Sequence, residues 1–428
     1  MRVVIVAEHA SSKFGGEAFL PLNYFRLLRS RGVETWLVVH ARTKTELQAL
    51  LPGESDRMHF VSDTWIHQFL YRFGLLLPRR LAGTTTGLMS HLYTQSIQRR
   101  VVRQLVREHN IDIVHEPIPV APTFPSLMFD VGVPVVIGPM NGNMEFPPGF
   151  RDRENPFVQP LVSLGRQFAD FCNHLLPGKI KAQTLLVANK RTKKALPSGI
   201  RGNVIEMSEN GVDLSVWTPI SVKSKQPNPI SPIFAFVGRL IHLKAVDLLI
   251  LAFQTVAAQT DARLEIIGDG KVRQNLETLT NSLNLAERVT FSGWLSQKQC
   301  ATRLENADVL VMPSLIECGG AVVLEAMAKG LPVIATKWGG PLDYLDATCG
   351  ILVEPTSRDE FIIGLSNAML QLAQQPELRL QMGLAGQERV RQHFDWERKI
   401  DRIIEIYELT CSKSNFKYRK PDLLTQEH

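Results

Sequence analysis

Residues 308–336 read DVLVMPSLIECGGAVVLEAMAKGLPVIAT, and this stretch decides the fold. An unbroken apolar run, 308–312, stops at Pro313-Ser314. Gly319-Gly320 then opens a helical pattern, 321–329, which Gly330 ends, and a second apolar run, 332–336, follows. Apolar runs that do not alternate mark strands covered on both faces. Two such strands joined through one helix run parallel, because the crossover returns the chain to the same end of the sheet.

The pattern repeats outward. Downstream lie a short run at 350–353 and helical stretches at 377–393 and 396–410, the latter with Ile400, Ile403, Ile404 and Tyr407 at helical spacing. Upstream lie runs at 233–237, 263–267 and 289–292, preceded by TPISVKSKQPNPISP at 218–232, which is polar, proline-rich and reads as a linker. Before the linker the alternation recurs, with runs at 2–7, 33–39, 58–61, 111–115, 134–138, 184–188 and 203–207 and helical stretches such as 21–31 and 96–109. Pro21 is expected in a helix's first turn, where proline is tolerated. The expectation is an α/β protein with two Rossmann-like doubly wound parallel-sheet domains, 1–217 and 233–395, joined by a linker at 218–232. A helix at 396–412 and a polar, basic tail at 413–428 complete the chain.

Composition narrows the class. In 428 residues, 44% hydrophobic and 21% charged, general disorder is excluded. The five cysteines are odd in number and never in CxxC, which argues against a disulfide framework or zinc ribbon and for a reducing compartment. No apolar stretch reaches the roughly 20 residues that span a bilayer, and the start lacks a signal-peptide layout. A cytoplasmic protein is expected. Residues 1–215 carry 25 Lys and Arg against 18 Asp and Glu, the remainder 23 against 24, so the excess positive charge lies in the first half. Either that half meets an anionic partner or the difference is ordinary variation. Residues 66–81 (IHQFLYRFGLLLPRRL) mix large apolar residues with Arg72, Arg79 and Arg80. They read either as a core helix or as a peripheral membrane contact at the inner face of the membrane. Basic residues are not gathered with aromatics along a strand face, so nucleic-acid binding is not expected.

Ligands of open α/β sheets bind beyond the carboxyl ends of the strands. Gly15-Gly16, in the loop after the first strand, would let amides approach a phosphate or sugar, and a plain turn explains them equally. GxGxxG is absent there, which disfavours a standard NAD(P) site. In the second half the first strand exits into Gly238-Arg239-Leu240, with Lys244 five residues after Arg239. A guanidinium fork and a mobile ammonium at one strand exit suit a diphosphate, and cations at a helix start are unfavourable unless an anion lies between them. Gly268 and Gly270 form a tight turn that either a ligand or the turn itself explains. Trp294 reads as a core tryptophan, or as a flat surface for a nucleobase. Free amides at Gly320, Ala321 and Val322 form an anion site at a helix start. Glu317 and Glu325, spaced E-x7-E, suit hydroxyl acceptors on either side of it, one for a sugar and one for a ribose.

These motifs, Asn210-Gly211-Val212-Asp213, Gly238-Arg239-Leu240 with Lys244, Ile267-Gly268-Asp269-Gly270, Phe291-Ser292-Gly293 and 313–340, together resemble the retaining glycosyltransferases of family 4, also called group 1, which have the GT-B fold. In the first half the resemblance rests on the double-glycine loop and on 112–117 (DIVHEP), which is similar to the family's strand-end histidine motif. The resemblance implies two domains facing across a cleft and a last helix crossing back to the first domain. It implies that Arg239 and Lys244 hold the donor diphosphate, that Glu317 contacts the transferred sugar and Glu325 the ribose, and that Gly320, Ala321 and Val322 face the phosphates. Gly15-Gly16 would close from the other domain, and His115 would lie beside the reacting sugar. Two departures stand out: Gly319 occupies a position usually held by phenylalanine, and Ala245 one usually held by glycine.

The implied activity is retaining transfer of a sugar from a nucleotide diphosphate sugar to a glycan or lipid-linked acceptor, in cell-surface polysaccharide or glycolipid synthesis. No DxD-like metal site is present in the sequence, so no metal or other cofactor is expected and the two cations stand in for a divalent ion. The alternatives are a same-fold epimerase or phosphorylase, or a non-catalytic nucleotide-sugar binder.

Overall fold

The computed structural model describes residues 1–13, 16–76, 83–153, 168–218 and 231–418. Among them, thirteen strands form two wholly parallel sheets. The first sheet comprises β1 (Arg2–Val6), β2 (Glu34–His40), β3 (Met58–Val61), β4 (Ile113–Glu116), β5 (Val135–Met140), β6 (Thr184–Val187) and β7 (Asn203–Glu206), in the order 3-2-1-4-5-6-7. The second comprises β8 (Ile233–Val237), β9 (Arg263–Ile267), β10 (Val289–Gly293), β11 (Val309–Met312), β12 (Val333–Thr336) and β13 (Gly350–Val353), in the order 10-9-8-11-12-13. Each order reverses direction beside its first strand, the doubly wound arrangement that puts ligand sites at that switch point. The apolar runs became strands because both faces are covered: every residue of β4, β5, β6, β11 and β12 is buried.

The described residues divide into two compact units. The first draws on Met1–Asn143, Pro160–Glu209 and Ile400–His428, the second on Met144–Gln159 and Asn210–Lys399. These bounds differ from a first domain at 1–217. Residues 144–153 belong to the second unit because their aromatic side chains are seated in its core. Phe150 is fully buried edge-on to Phe361 at 5.8 Å, and Phe146 packs on the same cluster. Gly149 is a required glycine, since a Cβ there would lie 1.9 Å from the Thr356 carbonyl. Of the expected linker, 219–230 lie outside the described residues.

Two helices depart from expectation. The first, Gly16–Ser30, starts early enough to place Pro21 inside it rather than in its first turn. The last, Trp396–Tyr418, continues six residues into the expected tail, where no glycine or proline interrupts it; 419–428 lie outside the described residues. From Ile400 onward this helix is part of the first unit. Ile400, Ile403, Ile406 and Tyr407 are fully buried, with Ile406 rather than Ile404 completing the stripe. The Thr410 hydroxyl meets that of Thr184 at 2.8 Å.

The Tyr407 phenol anchors this helix to the end of β4. His115 Nε2 lies 2.6 Å from the Gly138 carbonyl, which can only accept, so Nε2 carries the proton. His115 Nδ1 therefore accepts from Tyr407, also at 2.6 Å. Tyr407→Phe leaves a buried acceptor unpaired and is expected to cost about 1–3 kcal/mol. That loss is read as an earlier urea transition with an unchanged spectrum at low urea; an unmoved transition would contradict the anchor.

Candidate active site

The richest chemistry lies at the carboxyl ends of β8 to β12, which parallel pairing brings to one edge of the second sheet. The loop leaving β8 is held on both sides. Leu240 N–H donates to the Asp269 carbonyl (2.9 Å) beyond β9, and Leu315 N–H beyond β11 donates to the Leu243 carbonyl (2.9 Å). This fixes Arg239 and Lys244 at adjacent points. Residues His242–Lys244 form a single 3-10 turn, and Ala245 follows at φ 48 before the helix Val246–Gln259. Ala245 thus occupies a left-handed position, which explains why glycine is expected there.

Lys244 forms an ion pair with Glu317, and both side chains are largely shielded from water. The two sequence-predicted groups are therefore brought into contact across 73 residues of chain. Arg239 is exposed and, among the described residues, its guanidinium makes no hydrogen bond or ion pair. Glu317 is also fixed through its backbone: its carbonyl accepts from Gly340 N–H at 2.7 Å. Gly339, at φ 74, passes so close that a Cβ would stand 2.4 Å from that carbonyl and 2.5 Å from Met144 Cε. Trp338 Nε1 donates to the Glu145 carbonyl at 2.8 Å. The 144–150 segment thus backs the Glu317 loop, a contribution that nothing periodic in its sequence announces.

The helix Ala321–Ala328 begins at Gly320, whose φ of 86 only glycine adopts readily, and no side chain caps it. First-turn amides have no partner within a helix, so those of Ala321 and Val322 remain available as donors, with the positive dipole end behind them. Glu325 lies one turn in and is partly buried. Burial pushes its carboxyl up to about 7, against the downward pull of a hydrogen bond with the Gln297 side chain. Gly268, at φ 138, is glycine because a Cβ would stand 1.9 Å from the Gly238 carbonyl; the turn alone accounts for it. Trp294 is 75% exposed, which corrects its reading as a core tryptophan. The hydroxyls of Ser314 and Thr336, at the ends of β11 and β12, are buried without a hydrogen-bond partner among the described residues, and neither was assigned a role from the sequence.

In the first unit the outcome differs. His115 is fully buried with both ring nitrogens engaged, so it is a structural residue and not a group presented to a sugar. Gly16 opens its helix with open space around the Cβ position, and Gly15 lies outside the described residues. The loop is held by Glu17, which accepts from Val120 N–H at 2.9 Å. His40, Asp63 and His67 come close enough to suggest a metal site. However, His40 Nδ1 accepts from Arg42 N–H and His67 Nδ1 from Thr64 N–H. Each neutral ring then carries its proton on Nε2, which leaves neither histidine a free lone pair for a metal. Burial lowers the pKa of both histidines, in keeping with the neutral form.

Residues 219–389 match the family model described as glycosyl transferases group 1. The match takes in most of the second unit. A mannosyltransferase of Corynebacterium glutamicum, named as GDP-mannose-dependent and acting on a monoacylated phosphatidylinositol monomannoside, is 32% identical over 212 residues, which cover 46% of this chain and 54% of the relative. The chain spans about half the length of the curated relatives it matches. Among solved structures, sucrose-phosphate synthase from Thermosynechococcus elongatus superposes with a TM-score of 0.64 at 17% identity, over 96% of this chain and 100% of the other. An Anabaena protein solved with UDP gives 0.64 at 17% identity, over 95% and 100%. These likenesses establish the two-domain α/β fold of the GT-B class. The segment matched by the family model includes every candidate site residue of the second unit discussed above, from Arg239 to Glu325.

Because the Glu325 carboxyl titrates above its unfolded value of about 4.5, the folded state holds the extra proton between pH 4.5 and 7. Its contribution to stability therefore falls as pH rises through that window. Glu325→Gln is expected to remove this decline, making the ligand-free variant more stable than the parent at pH 8, by up to roughly 2–3 kcal/mol, and closer to it at pH 4. Paired thermal melts check this, and parallel pH dependence in both proteins would contradict it.

Proposed function

We propose that the protein transfers a sugar from a nucleotide diphosphate sugar to a hydroxyl of a glycan or lipid-linked acceptor, with retention at the anomeric carbon. The observation that carries this reading is the convergence of unpaired Arg239, the Lys244–Glu317 pair and the uncapped Ala321–Ala328 helix on one sheet edge. When the bond between the anomeric carbon and its phosphate oxygen breaks, negative charge grows on the β-phosphate. Arg239, Lys244 and the helix-start amides are already in place there, so the charge is met without reorganisation. Lys244 has three donor hydrogens, so it can keep Glu317 while reaching a phosphate oxygen. Glu317 is thereby positioned to accept from a sugar hydroxyl.

Glu325 is assigned to the ribose hydroxyls and exposed Trp294 to the base. With Gly268 explained by packing and His115 by its buried bonds, the reacting groups of this reading all come from the second unit. The leaving group departs on the face from which the acceptor hydroxyl arrives, and that hydroxyl's proton passes to the departing phosphate oxygen, which accounts for retention without a carboxylate nucleophile. No metal or other cofactor is assigned a part. Donor dependence of the corynebacterial relative and UDP in the Anabaena structure, as named, support a nucleotide-sugar donor. The same relative, named for a monoacylated phosphatidylinositol monomannoside, supports a lipid-linked acceptor and a role in glycolipid synthesis.

Arg239→Ala and Lys244→Ala are each expected to lower kcat about 10²–10³-fold, the usual cost of one preorganised donor, with melting temperature unchanged for exposed Arg239 and lowered for Lys244, whose loss leaves Glu317 unpaired. Nucleotide release is the readout, after a thermal-shift panel of UDP-, GDP- and ADP-sugars has identified the stabilising donor. Unchanged turnover in both variants would overturn the diphosphate grip.

A further inference from the structure

The helix Trp65–Leu75 in the first unit turns its apolar side outward. It is firmly seated: Thr64 and His67 form a capping box, His67 Nε2 lies 3.0 Å from the Thr94 hydroxyl, and Leu70 is buried. At 100° per residue, His67, Leu70 and Gly74 define the seated side. Trp65, Phe69, Arg72 and Leu76 then fall on the opposite side, with Phe73 on its flank. The exposures agree: Trp65 is 74% exposed, Phe69 59%, Phe73 48% and Leu76 80%. Phe69 and Phe73 stack on each other with centroids 6.2 Å apart, which makes a continuous aromatic strip. A contiguous strip of this kind facing water marks a contact site, unlike scattered single apolar residues.

The charge around the strip selects the partner. Residues 64–76 contain Arg72 and no lysine, aspartate or glutamate. Asp63, just before the helix, is engaged by Arg42 at 3.2 Å and lies 3.3 Å from His40 Nε2. Nothing on this helix therefore repels an anion, and Arg72 sits within the apolar strip itself. Aromatic rings with interleaved guanidinium groups suit the boundary between headgroups and acyl chains, where the rings enter and the cation stays with the phosphates. A symmetric contact between two copies would instead bring Arg72 of each copy into an apolar seam with no acid on the helix to compensate it.

We propose that this face rests on an anionic lipid surface and holds the protein there as a peripheral membrane protein. The inference is independent of the transfer reading, because the test requires neither donor nor turnover. The full chain is floated with phosphatidylcholine vesicles, alone or with roughly one-third phosphatidylglycerol. The wild type is expected to float with the mixed vesicles, to stay behind with the neutral ones and to be released by high salt. Trp65→Ser with Phe69→Ser is expected to lower vesicle partitioning at least about tenfold. Arg72→Glu, a change at an exposed site, is expected to do the same and keeps the test valid if the double variant misfolds. No flotation with the mixed vesicles would overturn the proposal, as would equal flotation with neutral ones or retained flotation of both variants. So would a wild-type dimer that the double variant splits, which assigns the strip to a second copy.

Discussion

The ion pair between Lys244 and Glu317 ties together the exits of two neighbouring strands, β8 and β11, and the functional account depends on it. Each partner alone would be out of place. A partly buried lysine without an anion, or a glutamate beside a phosphate site without a cation, would carry a desolvation cost that only a partner offsets. Paired, they hold opposite charges side by side at the sheet edge, one suited to a phosphate and the other to a sugar hydroxyl. The backbone bond from Leu315 to Leu243 makes this register rigid rather than dependent on two flexible side chains.

Around that pair the edge is built from tight backbone contacts more than from side chains. Gly320 admits the turn into the Ala321–Ala328 helix, and Gly339 lets the chain pass against the Glu317 carbonyl. Met144, Glu145 and Phe150 support that crossing from a segment that precedes the rest of the second unit by about 60 residues of chain. Glu325, held by burial near neutrality, adds a carboxyl whose charge is sensitive to what sits beside it.

The inner strands were legible because each is a run of apolar residues covered on two faces, as at Val309–Met312, whereas the edge strands Met58–Val61 and Asn203–Glu206 are only partly buried. Arg239, Lys244, Glu317 and Glu325 were legible because cations and carboxylates at strand exits have few structural reasons to be there. What the sequence hid is long-range. His115 resembles a strand-end ligand until Tyr407, 292 residues away, is seen bonded to it. Residues 144–150 have no periodicity to show that they belong to the second unit. The helix Trp65–Leu75 has an apolar stripe, but a stripe does not say which side faces water; only the seating of His67 and Leu70 does.

The most direct measurement is a double-mutant cycle on Lys244→Met and Glu317→Gln, read as calorimetric affinity for the stabilising nucleotide sugar. If the pair is the functional unit, Lys244→Met leaves an uncompensated carboxylate facing the phosphates, and adding Glu317→Gln restores part of the lost affinity. Losses that simply add, with the double variant weaker than either single one by their sum, would contradict the account.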